Sequence, residues 1–225
     1  MKLPDPDSTL RIMKIIHILR QSTQAYVQPA SITLVKQYGR DPFLVLASCL
    51  LSLRTKDTVS LPASQRLFEY AKTPQEMLKV PLAILEKVIY PVGFYRQKAR
   101  TLHHISAELL ARFNGQVPET FQELISLKGV GPKTANLVLA EGFNIPAICV
   151  DTHVHRISNR LGIVKTSTPE ETERELKKIL PQEYWREWSS LMVMWGQNIC
   201  MPVSPFCSKC PIVDLCPKVG VKKRR

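Results

Sequence analysis

The sequence contains no long apolar run and few acidic residues for its size. No stretch of its 225 residues approaches the roughly 20 apolar residues that span a bilayer. Its first ten residues, MKLPDPDSTL, lack the apolar core of a secretory leader, so we expect an intracellular protein. The acidic residues number 19 against 31 Lys and Arg, which gives a formal charge of +12. This balance favours a polyanionic partner, most simply nucleic acid, over the alternative of a basic surface that binds nothing.

The chain also lacks alternating strand patterns, internal repeats and low-complexity segments. Helical periodicity and helix-start signals are present instead. Asp41, Thr73 and Thr168 each precede a proline, and a capping side chain followed by proline is typical of a helix start. The predicted helices cover residues 8–20, 42–53, 96–113, 118–127, 134–141, 151–161, 168–180 and 182–198, with two more starting after residues 57 and 73. The fold class predicted is all-α.

The segment Leu127–Asn136 reads LKGVGPKTAN and predicts a hairpin between two helices. Gly129 and Gly131 permit backbone conformations that side chains forbid, and they let the backbone approach a ligand closely. Pro132 suits the first position of the second helix. Free N–H groups at such a turn form an anion site that fits a DNA phosphate. Lys133 is then either a further phosphate contact or a nucleophile, and the hairpin alone leaves both open.

Asp151 follows Lys133 by 18 residues and begins the helix predicted in VDTHVHR. One interpretation is a helix N-cap with no other role. The other is a catalytic carboxylate, and the two are compatible. A carboxylate that accepts backbone N–H bonds stays ionised and fixed in place, which suits a reaction that passes through an oxocarbenium-like sugar.

Four of the six cysteines lie within 17 residues, in the pattern C-x6-C-x2-C-x5-C. They are Cys200, Cys207, Cys210 and Cys216. In a reducing compartment this spacing predicts a bound metal rather than disulfides. The spacing alone leaves zinc and an iron–sulfur cluster open. Cys49 and Cys149 lie in apolar surroundings and are predicted to be core residues.

Taken together and in this order, LKGVGPKTAN, VDTHVHR and the spaced cysteines resemble the endonuclease III family of helix–hairpin–helix DNA glycosylases. The resemblance covers nearly the whole chain, from about Leu10 to Cys216. It implies two helical lobes: a six-helix barrel over residues 33–146, and an iron–sulfur domain built from residues 1–32 and 147–225. It also implies a [4Fe-4S] cluster held by Cys200, Cys207, Cys210 and Cys216.

The resemblance further implies base-excision repair of duplex DNA that contains damaged bases or abasic sites, by a monomeric, cytoplasmic or nucleoid-associated enzyme. Lys133 would attack the sugar C1′ of a flipped-out nucleotide, form a Schiff base and cut the strand by beta-elimination. Asp151 would be the essential carboxylate. The lesions expected are oxidised pyrimidines such as thymine glycol.

The resemblance to this family also implies DNA contacts. Phe94, in VGFYRQKAR, stands at the position that fills the gap in the duplex, and the backbone of Gly129, Val130 and Gly131 meets the phosphates. Lys209, in the cysteine loop, is a further candidate. Arg96, Lys98 and Arg100 are candidates for phosphate contacts or, alternatively, form a solvated helix face.

At the second gap-filling position, in LLSLRTKDTV, the chain departs from the family pattern. Typical members carry glutamine there, whereas this chain carries Arg54, which presents only hydrogen-bond donors. Mismatch-specific uracil or thymine glycosylases of the same superfamily often carry arginine in this region, which makes them the alternative. A non-catalytic DNA-binding module with a structural metal is a third hypothesis.

Overall fold

The computed structural model describes residues 6–225, and the N-terminal residues 1–5, on which the leader prediction partly rests, lie outside it. Residues 6–225 form twelve α-helices and no β-strand, which confirms the all-α prediction. The helices are α1 (Pro6–Ser22), α2 (Ala30–Tyr38), α3 (Pro42–Ser52), α4 (Asp57–Tyr70), α5 (Pro74–Lys79), α6 (Leu82–Ile89), α7 (Tyr95–Phe113), α8 (Phe121–Ser126), α9 (Pro132–Leu137), α10 (Thr152–Arg160), α11 (Pro169–Ile179) and α12 (Trp185–Asn198). Among these residues no helix has both the length and the apolar composition that crossing a bilayer requires.

Three helix starts that carry a capping side chain lie where the sequence predicts them. Asp41 Oδ1 accepts from the backbone N–H groups of the next helix at 2.8 and 3.0 Å. Thr73 and Thr168 each accept from the N–H three residues on, at 3.2 Å. The glutamates at those third positions, Glu76 and Glu171, in turn accept from backbone N–H groups ahead of the helix. These bonds satisfy N–H groups that have no partner within the helix, so they fix where α3, α5 and α11 begin.

Two helices that the sequence does not predict, α2 and α6, lack such caps. Their N-cap residues are Pro29 and Pro81, and neither makes a side-chain capping bond. The last long helix also starts later than predicted, because residues 182–184 form a 3-10 turn before Trp185.

One compact unit spans Pro29–Ile145 and contains α2 to α9. Helix α3 is its most buried element, and every residue from Phe43 to Leu51 is buried. Helix α7 packs against α3, α5 and α6. The largest fully buried side chains of this unit come from four of its helices: Leu46, Leu50, Leu51, Leu67, Phe68, Met77 and Leu85. This core supports the hairpin and the loops that follow α3 and precede α7.

The second compact unit joins α1, up to Gln28, to the segment Pro146–Arg225. Helix α12 packs against both α1 and α10, and α10 also packs against α11. Its core is built around two tryptophans of α12, Trp188 and Trp195, which are 0% and 1% exposed. Ile15 and Leu19 of α1 pack into the same cluster. This core carries α10 and the cysteine loop that follows α12.

Candidate functional site

The predicted hairpin is present between α8 and α9. Gly129 has a φ of +95°, a conformation that side chains rarely adopt. The turn is closed by a bond from the Val130 N–H to the Leu127 carbonyl, at 3.0 Å. Leu127 and Val130 are buried, whereas Gly129 and Gly131 are exposed. The turn therefore anchors two apolar side chains in the unit and presents its glycine backbone to solvent.

Lys133 is exposed at the second position of α9, directly after Pro132. The residues behind it are buried, including Ala135 and Val138, which are both 0% exposed. The helix continues into a single π-helical turn, Val138–Gly142. Arg40 donates to the Ala140 and Glu141 carbonyls of that turn, at 3.2 and 3.1 Å. The lysine is thus carried on a rigid, well-packed base.

Asp151 is the N-cap of α10, as the sequence predicts. Its Oδ1 accepts from the backbone N–H groups of His153 and Val154, at 2.8 and 2.9 Å. Both bonds go to the same carboxylate oxygen, and the structure shows no hydrogen bond to Oδ2 within residues 6–225. Asp151 belongs to the unit that contains the cysteine loop, whereas Lys133 belongs to the unit Pro29–Ile145.

The two predicted gap-filling residues lie on two loops of the same unit. Arg54 follows α3 and Phe94 precedes α7, and both are exposed. Both have left-handed backbones, with φ of 53° and 58°. Positive φ is uncommon at residues other than glycine and marks positions that the surrounding structure holds in place. The loops touch, since the Gly93 N–H donates to Thr55 Oγ1 at 3.2 Å.

Lys98, which the sequence offers as a phosphate contact, is buried instead. It is 7% exposed, and its Nζ donates to the carbonyls of Leu51 and Leu53 and to Thr55 Oγ1. Burial lowers the pKa of Lys98 from its ordinary 10.5 to about 8. Of the three cations that follow Phe94, only Arg96 and Arg100 are exposed and could contact phosphates.

The four clustered cysteines line one cavity. Cys200, Cys207, Cys210 and Cys216 enclose it together with apolar side chains that include Trp195 and Ile212. About 420 Å³ of space within it, part of it open to solvent, is not filled by protein atoms. The four thiols are thus brought together around a space that a compact group can occupy.

Two arginines of α10 hold the cysteine loop. Arg160 donates to Cys200 Sγ at 3.4 Å and to the carbonyls of Met201 and Pro202, both at 2.6 Å. Arg156 donates to the Cys200 carbonyl at 2.8 Å. These contacts span 40 to 44 residues of sequence, so the spacing pattern of the cysteines does not reveal them.

Two of the four thiols, those of Cys210 and Cys216, lie in an environment that disfavours the thiolate form. The pKa of Cys210 is raised to about 11, chiefly by burial and also by the neighbouring thiols. Burial also raises the pKa of Cys216. Within residues 6–225, however, no group of three or more His, Cys, Asp or Glu side chains is arranged to hold a single metal ion.

Lys209 is exposed on the cysteine loop, beside the C-terminal basic residues. Its Nζ lies 6.0 Å from the centre of the Phe206 ring. The Arg225 guanidinium lies 4.0 Å from the same ring, and the Arg225 N–H donates to the Pro205 carbonyl at 2.8 Å. Three cations before Arg225, at 222–224, are also exposed. This face of the loop is therefore strongly basic.

Comparison with known proteins gives consistent matches. A family model described as "HhH-GPD superfamily base excision DNA repair protein" matches residues 47–182. Endonuclease III of Thermotoga maritima is 49% identical over 188 residues, which cover 81% of this chain and 88% of the relative.

Two solved structures share the fold. A trapped covalent intermediate of endonuclease III with DNA superposes with a TM-score of 0.81 at 36% identity, covering 93% of this chain and 96% of the other. A thermostable thymine-DNA glycosylase superposes with a TM-score of 0.80 at 24% identity, covering 95% and 98% of the two chains. The second match supports the fold alone, because its identity is low.

Proposed function

The chain belongs to the endonuclease III family of HhH-GPD base excision DNA repair proteins, and we propose that it removes oxidised pyrimidines such as thymine glycol through a covalent intermediate on Lys133. As a member of this family it is a DNA glycosylase and abasic-site lyase. The unit Pro29–Ile145 would be the six-helix barrel and the other unit the cluster domain. We expect a monomer, acting on damaged bases or abasic sites in double-stranded DNA.

The observation that carries the proposal is the position of Lys133. A nucleophilic amine needs solvent access, a rigid support and DNA held beside it. Lys133 is exposed on a buried helical base, two residues after Gly131 of the hairpin. A phosphate bound by the backbone of Gly129, Val130 and Gly131 would hold the DNA strand next to this amine. The solved covalent complex of an endonuclease III supports a covalent intermediate as the family's chemistry.

The chemistry at Lys133 follows from its amine. In the neutral form, the amine attacks C1′ of the flipped nucleotide as the bond to the base breaks, and a Schiff base forms on the opened sugar. Loss of a proton from C2′ then expels the 3′ phosphate, and the strand is cut by beta-elimination.

Asp151 is proposed as the carboxylate that assists this reaction. Its Oδ1 accepts two backbone N–H bonds at the helix N-terminus, which keeps the side chain fixed. Its Oδ2 makes no hydrogen bond within residues 6–225. A fixed negative charge stabilises the positive charge that develops on the sugar as the base leaves.

Arg54 and Phe94 are proposed to fill the space that the flipped nucleotide leaves in the duplex. Both are exposed, and both lie on loops that the surrounding structure fixes in a left-handed conformation. An aromatic wedge and a cationic donor can stack in the gap and hydrogen-bond the orphaned base. Lys209 and the exposed Arg96 and Arg100 are candidates for phosphate contacts.

A [4Fe-4S] cluster fits the cysteine loop. Cys200, Cys207, Cys210 and Cys216 would hold it, and the cluster would supply a rigid core for the loop when bound. The cavity that all four thiols line supports this assignment.

Arg54 also favours a second candidate, the excision of uracil or thymine mispaired with guanine. An arginine presents only donors to the orphaned base, and guanine offers O6 and N7 as acceptors. Within this alternative Lys133 and Asp151 keep their roles, and the flipped base differs.

A lesion panel separates the two candidates. Thymine glycol opposite adenine, uracil opposite guanine and thymine opposite guanine are placed in one duplex sequence, and single-turnover excision rates are compared. We expect thymine glycol to be removed fastest, and Arg54→Gln to change the dependence on the opposite base more than the rate itself. Mismatch activity without thymine glycol activity would refute the proposed substrate in favour of the second candidate.

A further inference from the structure

The buried ammonium of Lys98 has no carboxylate partner among residues 6–225. It lies on the face of α7 that also carries Leu102 and Ile105, which are 2% and 1% exposed. Charged groups are rarely buried without a counter-charge, because losing water costs several kcal/mol. A lysine at such a position is expected to hold polar groups in place that an apolar residue could not bind.

The Lys98 ammonium donates three hydrogen bonds, all to acceptors within residues 51–55. Lys98 Nζ lies 2.8 Å from the Leu51 carbonyl, 2.6 Å from the Leu53 carbonyl and 3.1 Å from Thr55 Oγ1. The turn follows the end of α3, whose last carbonyls have no partner within the helix. Arg54 lies between two of the three acceptor residues and has a φ of 53°. Lys98 thus fixes the conformation from which Arg54 projects.

The same contacts reach the Phe94 loop. Thr55 Oγ1 also accepts from the Gly93 N–H at 3.2 Å. The loops lie so close that a Cβ on Gly93 would come within 3.2 Å of the Arg54 carbonyl oxygen. The backbone N–H of Lys98 donates to the Phe94 carbonyl at 3.0 Å. One residue therefore bonds the Phe94 loop through its backbone and the Arg54 turn through its side chain.

We propose that Lys98 is a positioning residue that sets Arg54 and Phe94 at a fixed spacing, so that the two side chains enter the gap in the duplex as a preformed pair. This inference rests on the gap-filling role given to Arg54 and Phe94 above. A pair fixed before binding loses little conformational entropy when it inserts, so insertion competes with re-stacking of the flipped base. Loosening the pair slows insertion and leaves the reaction at C1′ unchanged.

The test compares one lesion in two contexts. In the first, the lesion is paired within an intact duplex. In the second, it lies opposite a one-nucleotide gap in the complementary strand, so that no orphaned base has to be held. The lesion is whichever base in the panel the wild type excises fastest, so the test does not depend on the proposed substrate. Single-turnover excision rates are measured for both.

Four variants are compared with the wild type. Lys98→Met removes the three donors and keeps the apolar stem, while Thr55→Val removes the shared acceptor and leaves Lys98 in place. Phe94→Ala removes the wedge itself. Lys87→Met makes the same lysine-to-methionine change at an exposed position of α6 and is the matched control. Circular dichroism and thermal unfolding confirm that each variant is folded at the assay temperature, and Thr55→Val decides the matter if Lys98→Met does not fold.

We expect Lys98→Met and Thr55→Val to slow excision about 10- to 100-fold on the paired lesion, as Phe94→Ala does, and less than about twofold opposite the gap. Lys87→Met should change neither rate. Equal slowing in both contexts would assign Lys98 a general structural role and overturn the inference. A paired-context defect in Phe94→Ala alone would overturn the inference and leave the gap-filling role intact. The lack of such a defect in Phe94→Ala would remove the gap-filling role and the inference with it.

Discussion

Asp151 has two roles in this account, as the cap of α10 and as a charge in the reaction, and substitutions can separate them. Asparagine caps helices about as well as aspartate, because its amide oxygen accepts the same backbone bonds. In Asp151→Asn, the amide oxygen can replace Oδ1, which accepts from His153 and Val154 at 2.8 and 2.9 Å. The NH2 group then replaces Oδ2, which makes no hydrogen bond within residues 6–225.

The expected magnitudes follow from these contacts. Asp151→Asn loses only the interaction of the charge with the helix N-terminus, about 0.3–1 kcal/mol. Asp151→Ala loses the capping bonds as well, about 1 kcal/mol more. For a protein of this size each kcal/mol lowers Tm by about 2–4 °C. Both variants should lose about 100-fold or more in excision rate, because both lack the carboxylate.

The assays are thermal unfolding and single-turnover excision. Thr168→Ala provides the control, because it removes the N-cap of α11 in the same unit, where Thr168 accepts from the Glu171 N–H at 3.2 Å. It should lower Tm by a few degrees and leave excision unchanged. If Asp151→Asn retained activity within a few-fold while Asp151→Ala lost it, the carboxylate would be only a cap and the proposed catalytic role would be refuted.

Three further predictions concern the cluster, the basic loop and the buried lysine. The purified protein should be brown with broad visible absorption, and Cys210→Ser should lose this colour; a colourless wild type with stoichiometric zinc would contradict the cluster. Lys209→Ala should reduce the slope of log K against log salt for undamaged duplex by about 0.9, as expected for one lost phosphate contact, and an unchanged slope would exclude that contact. Because the pKa of Lys98 is lowered from 10.5 to about 8, the folded protein releases this proton at lower pH than the unfolded chain does. The free energy of unfolding of the wild type, measured relative to Lys98→Met by urea denaturation, should therefore rise between about pH 8 and pH 10.5, by about 3 kcal/mol at most, and a flat difference would contradict the burial of the charge.

The fold class and the family were predictable from the sequence because their signals are local. Capping residues such as Asp41 and Thr168 act within three residues of themselves, so their helices begin where predicted. Helices α2 and α6 could not be found this way, since Pro29 and Pro81 precede them without a capping side chain. The π-helical turn Val138–Gly142 was predicted as ordinary helix, because its apolar pattern continues that of α9.

The residues that support the candidate site were harder to predict, since they act across the chain. Arg160 bonds a carbonyl 41 residues away, a contact that no spacing rule contains. The burial of Lys98, by contrast, could have been predicted, because its position four residues before Leu102 places it on the buried face of α7. Its charge led to the prediction of a phosphate contact, and the polar acceptors that permit its burial lie on a different helix end, 43 to 47 residues away. The roles of Lys133 and Asp151 in the reaction stay predictions.

Borohydride trapping tests the central claim, that Lys133 forms a Schiff base with the sugar. The wild type, Lys133→Ala and Lys128→Ala are each incubated with lesion-containing duplex and borohydride, and the covalent protein–DNA adduct is measured on a denaturing gel. Lys128 is an exposed lysine of the same hairpin and controls for lost phosphate contacts. The account predicts an adduct with the wild type and Lys128→Ala and none with Lys133→Ala, and peptide mapping should place the adduct on Lys133. Undiminished trapping by Lys133→Ala, or no adduct with the wild type, would contradict it.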